Sequence, residues 1–243
     1  PAPSGSIIGT DITCAGNCDG SANLTPVGGT SPYTFSWSNS MSTEDLSGLC
    51  AGTYGVTISD ANGCSDTTSV TIVEPATLIA GVTGTNILCN GVCIGTGTAT
   101  PSGGTTPYTC DWFDPGFQTT ATAIGLCAGI VNIIVIDSSG CTASGSYTVT
   151  ELPAIVLTPS AIDASCGNLD GQVSVMVSGG VGPFTYVWNS GCMTSTCTGL
   201  SSGSYTVQVT DANGCTVNDM INVNDLGGGG VASAVVDDNQ MKI

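Results

Sequence analysis

The chain has 243 residues, 41% of them hydrophobic and only 8% charged, with a formal net charge of −17. Lys242 is the single basic side chain, and Arg and His are absent, so a phosphate-gripping surface for nucleic acid is excluded and an anionic membrane surface is disfavoured. The apolar share suits cored domains, no stretch reaches the roughly 18 apolar residues of a membrane span, and Pro1-Ala2-Pro3 does not open a signal peptide.

Residues 6–13 read as a first strand. In "GGTSPYTFSWSNS" (28–40), Tyr33, Phe35 and Trp37 alternate onto one face, which is the period of a strand. Residues 53–58 and 68–73 are rich in β-branched side chains. Between them "DANG" (60–63) supplies a turn, with Gly63 free to take positive φ. The same order then returns twice. "GGTTPYTCDWFDP" (103–115) and "GGVGPFTYVWNSG" (179–191) repeat the first stretch. "LCAGTYGVTISDANGC" (49–64) returns as "LCAGIVNIIVIDSSGC" (126–141) and "LSSGSYTVQVTDANGC" (200–215). Self-similarity at a fixed period marks a repeat architecture. The repeats are 1–75, 76–153 and 154–226, joined by "VEPATL" (73–78) and "TELPAI" (150–155). About seven short strands per repeat, with no capped helical pattern, predict an all-β chain of tandem immunoglobulin-like sandwiches. Trp37, Trp112 and Trp188 are expected in the three cores, with a sugar-stacking platform as the other use.

Residues 227–243 form a tail. Four glycines precede Val231, Ala232, Ala234, Val235 and Val236, a strand apolar on both faces. Aligned on the joints, "DLGGGGVASAVV" (225–236) matches "EPATLIAGV" (74–82) and "ELPAIVLTPS" (151–160). The tail therefore reads as the opening strand of a further repeat, and a strand buried between sheets suits it better than life in water.

The strings "VGGTSPYTFSWS" (27–38), "LCAGTYGVTISDANGC" and "VEP" (73–75), with their two recurrences, resemble the SprB repeat found in large cell-surface adhesins of gliding and other Bacteroidota bacteria. The middle repeat departs from the pattern at Ile130-Val131-Asn132 and Ser138-Ser139. The resemblance implies a secreted, surface-displayed, non-catalytic protein, exported by the type IX route. The sorting domain of that route would be cleaved off, lie outside these residues or be unused.

Thirteen cysteines suggest an oxidising setting and disulfides. Zinc is the competing reading, from Cys14-x3-Cys18 and Cys89-x3-Cys93, but His is missing. Cys14, Cys89 and Cys166 share one repeat position, and Cys64, Cys141 and Cys215 another. Both are filled in every repeat, which suggests Cys14–Cys64, Cys89–Cys141 and Cys166–Cys215. Cys18 with Cys50, and Cys93 with Cys127, are replaced together by Asp170 and Ser201 in the third repeat, so each is paired. Cys192 and Cys197 close a local loop. Cys110 is left as a buried thiol, with an intermolecular bridge as the alternative. A repeat of this size is marginal alone, and closing a loop of about 50 residues contributes on the order of 4 kcal/mol in the chain-entropy model.

Catalysis is not expected. General-base His, oxyanion-holding Arg, nucleophile elbow and phosphate loop are all missing. Asp60, Asp137 and Asp211 fall in one repeated turn, as structural residues would. Asp60 and Asp211 are weak calcium candidates, since no acidic loop of the usual spacing surrounds them. Thr67, in Asp66-Thr67-Thr68, and Asn23, in Asn23-Leu24-Thr25, are candidate sites for covalent glycans. No other cofactor is expected.

Three functions compete. A fibre subunit would polymerise head to tail, its partner being another copy of itself. A stalk would carry recognition elsewhere. A carbohydrate-binding module, with surface polysaccharide as partner, predicts exposed aromatics in one repeat that the others lack, and none stands out in the sequence.

Overall fold

The computed structural model describes residues 2–227; the tail strand 231–236 lies outside the described residues. Among them every regular element is a strand. They fall into two compact bodies, Pro1–Thr85 with Ile94–Val149, and Asn86–Cys93 with the chain from Thr150 onward.

The first body holds two sandwiches. In one, β1 (Pro3–Thr10), β2 (Gly20–Gly28) and β4 (Leu46–Leu49) form a sheet in the order β1-β2-β4. It faces a second sheet, β3-β5-β6, built from β3 (Thr34–Trp37), β5 (Gly52–Ser59) and β6 (Ser65–Ile72). All pairings within both sheets are antiparallel. Alternation decides which side chains face inward. Ala22 and Leu24 of β2 and Leu46 and Leu49 of β4 meet Trp37, Val56, Ile58 and Ile72 of the other sheet.

The other sandwich repeats this plan with β7 (Val82–Thr85), β8 (Gly95–Ala99) and β10 (Thr122–Leu126) in one sheet. Its second sheet holds β9 (Tyr108–Trp112), β11 (Gly129–Asp137) and β12 (Thr142–Val149). In the second body, β13 (Val156–Ile162), β15 (Gly171–Ser178) and β17 (Thr196–Leu200) face β16 (Thr185–Trp188), β18 (Gly203–Thr210) and β19 (Thr216–Val223). There β14 (Ala164–Ser165) also pairs in parallel with β20 (Asp225–Leu226).

Each sandwich therefore has six main strands, one fewer than the spacing predicts. The first strand stops at Thr10 instead of Thr13 because Asp11 turns its side chain onto the Val73 N–H and the Ile12 N–H reaches the Val73 carbonyl. Residues 11–19 then form a loop, which carries Cys14.

All three tryptophans are core residues, each 2–3% exposed. Their indole N–H groups donate to the carbonyls of Thr43, Thr120 and Thr194 at 2.8–2.9 Å, so burial leaves no polar atom unpaired. The sugar-platform use of these tryptophans is thereby overturned. Cys110 packs in the same layer as Trp112, 5% exposed. It is a thiol, and burial, with the charge of Asp111 adding to it, pushes its pKa up. Gly20, Gly95 and Gly171 have a shared reason to be glycine. A Cβ there would sit 2.7 Å from Ile72, Val149 or Val223, inside the contact between the sheets.

Candidate functional site: the cysteine junctions

Two local structures recur in the repeats, and each presents a cysteine. The first is the turn that opens β6, β12 and β19. Its aspartate accepts from the backbone on every side. Asp60 accepts from the N–H groups of Thr30, Asn62 and Cys64 at 2.9–3.0 Å. Asp137 accepts from Thr105, Ser139 and Cys141 at 2.8–2.9 Å, and Asp211 from Val181, Asn213 and Cys215 at 2.9–3.1 Å. Burial pushes Asp60 and Asp211 up, but these donors outweigh it, and both carboxyls end below the ordinary range. In Asp137 the Thr105 N–H is the leading cause of the same downward shift, burial opposes it, and the Cys141 and Ser139 N–H groups add to it. Gly104, at φ +59°, completes the nest, since a Cβ there would lie 2.5 Å from the Asp137 carboxyl.

The ring of N–H donors is an environment for an anion. Asp60 and Asp211, the weak calcium candidates, spend their oxygens on it. Among the described residues no group of three or more His, Cys, Asp or Glu side chains is placed to hold a metal ion.

The second structure is the loop carrying Cys14, Cys89 or Cys166. It is clamped to the end of its own repeat. Ile12 N–H donates to the Val73 carbonyl at 3.0 Å, Ile87 to Thr150 at 2.8 Å and Ala164 to Asn224 at 2.9 Å. In return the side chains of Asp11, Asn86 and Asp163 accept from the N–H groups of Val73, Thr150 and Asn224 at 2.8–3.0 Å. Glu74 and Glu151, in the joints, accept from Gly16 and Gly91 at 2.8 and 2.9 Å. Sequence reading passed over both glutamates; their signal was the shared "EP" and "ELP" of the joints.

The disulfides connect one structure to the other across a joint. Cys14 is bonded to Cys141, with S–S 2.04 Å and Cα–Cα 5.6 Å. Cys89 is bonded to Cys215, with S–S 2.01 Å and Cα–Cα 5.4 Å. The Cys141 sulfur lies 3.3 Å from the Thr13 carbonyl oxygen, and that of Cys215 lies 3.3 Å from Leu88 O, so the two junctions are alike in detail. These bonds replace the expected Cys14–Cys64, Cys89–Cys141 and Cys166–Cys215. The reason is visible in β6. Cys64 precedes its first residue, while the Cys14 loop is clamped to Val73 just past its last. Eight strand residues separate them by about 25 Å, and a disulfide needs Cα atoms within about 7 Å. The third repeat has the same obstacle, with Cys215 before β19 and the Cys166 loop clamped to Asn224 beyond it.

Cys18 is bonded to Cys50 and Cys192 to Cys197, the partners proposed from sequence. Cys93 and Cys127 are also disulfide-bonded. Asp170 corrects the repeat alignment. It accepts from the N–H and hydroxyl of Ser165, as Asp19 does from Thr13. Its counterpart is therefore Asp19 and not Cys18, because the third repeat is one residue shorter between Cys166 and Gly171 than the first is between Cys14 and Gly20.

The middle repeat has one further feature. Tyr54 and Tyr205 reach back to the carbonyls of Cys50 and Ser201 at 3.0 and 2.9 Å. Val131 stands at that position in the middle repeat. A notch of about 430 Å³ opens there, lined by Val131, Ile130, Ile124, Phe113 and Gln118 among others. Phe113 is 57% exposed, and neighbouring Phe117 is 78% exposed at φ +46°. Asp114 and Gln118 fasten the loop to itself, Asp114 accepting from Gln118 Nε2 at 2.8 Å and Gln118 Oε1 from the Ile124 N–H at 3.0 Å. Asn23 on β2 and Thr67 on β6, the candidate glycan sites, are both exposed.

A family model described as SprB repeat matches residues 6–42 and 158–192. Two regions of the chain match the SprB repeat. The matches fall on the first and third sandwiches; the middle one shares their strand order and holds the departures at Ile130–Asn132 and Ser138-Ser139. No curated protein matches the chain. Among solved structures it is similar to the N-terminal eight Ig domains of Down Syndrome Cell Adhesion Molecule isoform 1.30.30, at 12% identity and TM-score 0.39, over 93% of this chain and 32% of that one. It is also similar to Sidekick-1 immunoglobulin domains 1–5, at 12% identity and TM-score 0.33, over 94% of this chain and 60% of that one. A third is surface layer protein SbsC, domains 4–9, at 14% identity and TM-score 0.29, over 93% of this chain and 48% of that one. The chain thus spans about a third of the first of these and less than two thirds of the second. The SprB-repeat matches and the disulfides point to an extracellular or cell-surface protein.

Proposed function

We propose that the protein is a non-catalytic structural subunit of a bacterial surface fibre, joined head to tail to copies of itself through the tail strand 231–236. The observation that carries the structural role is the pair of cross-joint bonds, Cys14–Cys141 and Cys89–Cys215. Each ties the loop at the end of one repeat to the turn of the following repeat, so tension on the chain is shared between a peptide joint and a disulfide.

Polymerisation by the tail is supported by the weakness of β1. The tail matches the opening strand of a repeat, and that position in the first repeat is held by β1 at the edge of its sheet. β1 pairs with β2 along its length, from Pro3↔Gly28 to Thr10↔Ser21. Yet its apolar contribution is small, since Pro3 is its one fully buried side chain, Ile7 is a partly buried neighbour of the core, and Ile8 is 73% exposed. A strand of three valines and two alanines would grip the sandwich better, by exchange with β1 or by adding at the edge. Deleting 227–243 is expected to leave folded monomers that form no filaments in the electron microscope. Filaments from the truncated chain would end this reading and leave the stalk.

The notch favours a second reading. Phe113 and Phe117 are exposed aromatics that the other two repeats lack, as a carbohydrate-binding module requires. Binding of soluble surface polysaccharide, lost on Phe113→Ala with Phe117→Ala, would support it.

A further inference from the structure

We propose that Cys64 is disulfide-bonded to Cys166 of a second copy of this chain, locking the head-to-tail joint covalently. The inference deepens the fibre reading and rests on its head-to-tail arrangement, though not on the tail strand.

Cys64 is an exposed thiol held in a finished receiving turn. Its N–H donates to Asp60 at 2.9 Å, the distance found at Cys141 and Cys215. The Asp60 N–H reaches the Cys64 carbonyl at 2.9 Å, against 3.0 Å at both counterparts, and Gly63, Gly140 and Gly214 close the turn in the same way. Both counterparts are bonded to a cysteine from the loop of the preceding repeat. Cys64 is thus the third member of a set whose other two members show what they receive.

The matching donor loop is present in the same chain. Cys166 follows Ala164, which is clamped to Asn224 as Ile12 is to Val73. Asp163 accepts from the Asn224 N–H as Asp11 does from the Val73 N–H. The Cys166 sulfur is exposed at the surface, 3.8 Å from the Leu226 carbonyl oxygen. Each copy therefore offers one receiving turn on its first repeat and one donor loop on its third. Where a copy bonds one neighbour through Cys64 and another through Cys166, as the head-to-tail arrangement requires, the pairing is heterologous and propagates as a chain when the rotation does not close a ring.

The chemistry needs an oxidant, and a small disulfide such as glutathione disulfide suffices. The Cys166 thiol exchanges into it, releasing one glutathione thiol. The Cys64 thiolate of the neighbouring copy then attacks the Cys166 sulfur. The Cys64–Cys166 bond forms, the Cys166–glutathione bond breaks, and the second glutathione leaves as a thiolate that takes up the proton given up by Cys64. Two protein thiols are oxidised and one disulfide is reduced to two thiols.

The test is complementation between two variants of the full chain. Wild-type protein incubated with glutathione disulfide should give a ladder of dimers, trimers and longer chains on a non-reducing gel, abolished by a reducing agent. Cys64→Ser alone and Cys166→Ser alone should stay monomeric. Mixed, they should give a dimer and nothing longer, because one supplies Cys166 and the other Cys64. Mass mapping should return a peptide joining the two. Monomeric wild-type protein, a ladder or dimer from either variant alone, or Cys64–Cys64 and Cys166–Cys166 peptides would each overturn the link. Filaments formed by the Cys64→Ser/Cys166→Ser double variant read the tail strand by itself, so the two ideas fail separately.

Discussion

The Cys14 sulfur is bonded to Cys141, which lies 127 residues further along the chain and in the next repeat. Two loops with separate jobs meet there, one clamped to the end of its own sandwich, the other wrapped around the Asp137 carboxylate. Proteolytic mapping without reduction should therefore recover Cys14 with Cys141 and Cys89 with Cys215. Recovery of Cys14 with Cys64 would show that the bonds stay inside the repeats. The Cys14→Ser/Cys141→Ser pair should also lower the denaturant midpoint of the first two sandwiches. The chain-entropy ceiling for a loop of this length is about 5 kcal/mol, and the loss should fall short of it, because each repeat keeps its own core.

The aspartate turns make stability depend on acid. The folded pKa values of Asp60, Asp137 and Asp211 lie below the ordinary 3.8. A depressed folded pKa contributes stability that is fully present above the unfolded value and is lost as pH falls through the folded one. Stability should thus be flat above about pH 5 and decline steeply below about pH 4. Asp137→Asn keeps the shape but turns an amide N–H₂ toward donors that need an acceptor. It should melt several degrees lower at neutral pH and show a shallower loss in acid. An unchanged melting temperature at pH 7 would mean that the N–H ring is not needed.

Much of this architecture was legible in the chain. Alternation at period two set Trp37, Trp112 and Trp188 inward, and three tellings of one pattern fixed the strand order. Comparing the repeats also found the right cysteine positions. It did not find which copies meet, because a position filled in every repeat is equally consistent with bonding inside a repeat and with bonding to the next one. Only the β6 length, which carries Cys64 away from the Cys14 loop, separates the two. The Asp170 misalignment came from a one-residue deletion, invisible until Asp19 and Asp170 were seen gripping Thr13 and Ser165. The notch was hidden for another reason. It depends on a side chain that is missing at Val131 and on a loop conformation at Phe117, and neither follows from periodicity.

Core and surface aromatics should separate cleanly on mutation. Trp112→Ala removes a buried ring and the donor to Thr120 O, and is expected to cost about 3–5 kcal/mol. Phe117→Ala removes an exposed ring and should stay within about 0.5 kcal/mol of the parent. Denaturant titration of both variants checks the contrast. A large loss at Phe117 would mean that its loop is part of the fold's support and not a binding edge.

The notch offers the last prediction. In the first and third sandwiches a tyrosine ring occupies this place and its hydroxyl donates to the carbonyl of Cys50 or Ser201. Val131→Tyr supplies the same ring, with the Cys127 carbonyl as the corresponding acceptor. Filling a cavity with a side chain the fold already accommodates elsewhere typically yields about 0.5–2 kcal/mol. The variant should therefore melt a few degrees higher than the parent, and an apolar fluorescent probe bound at Phe113 should be displaced. A lower melting temperature would show that the walls of the notch have closed around valine in a way the other two repeats have not, so that the missing ring is part of the middle repeat's own packing.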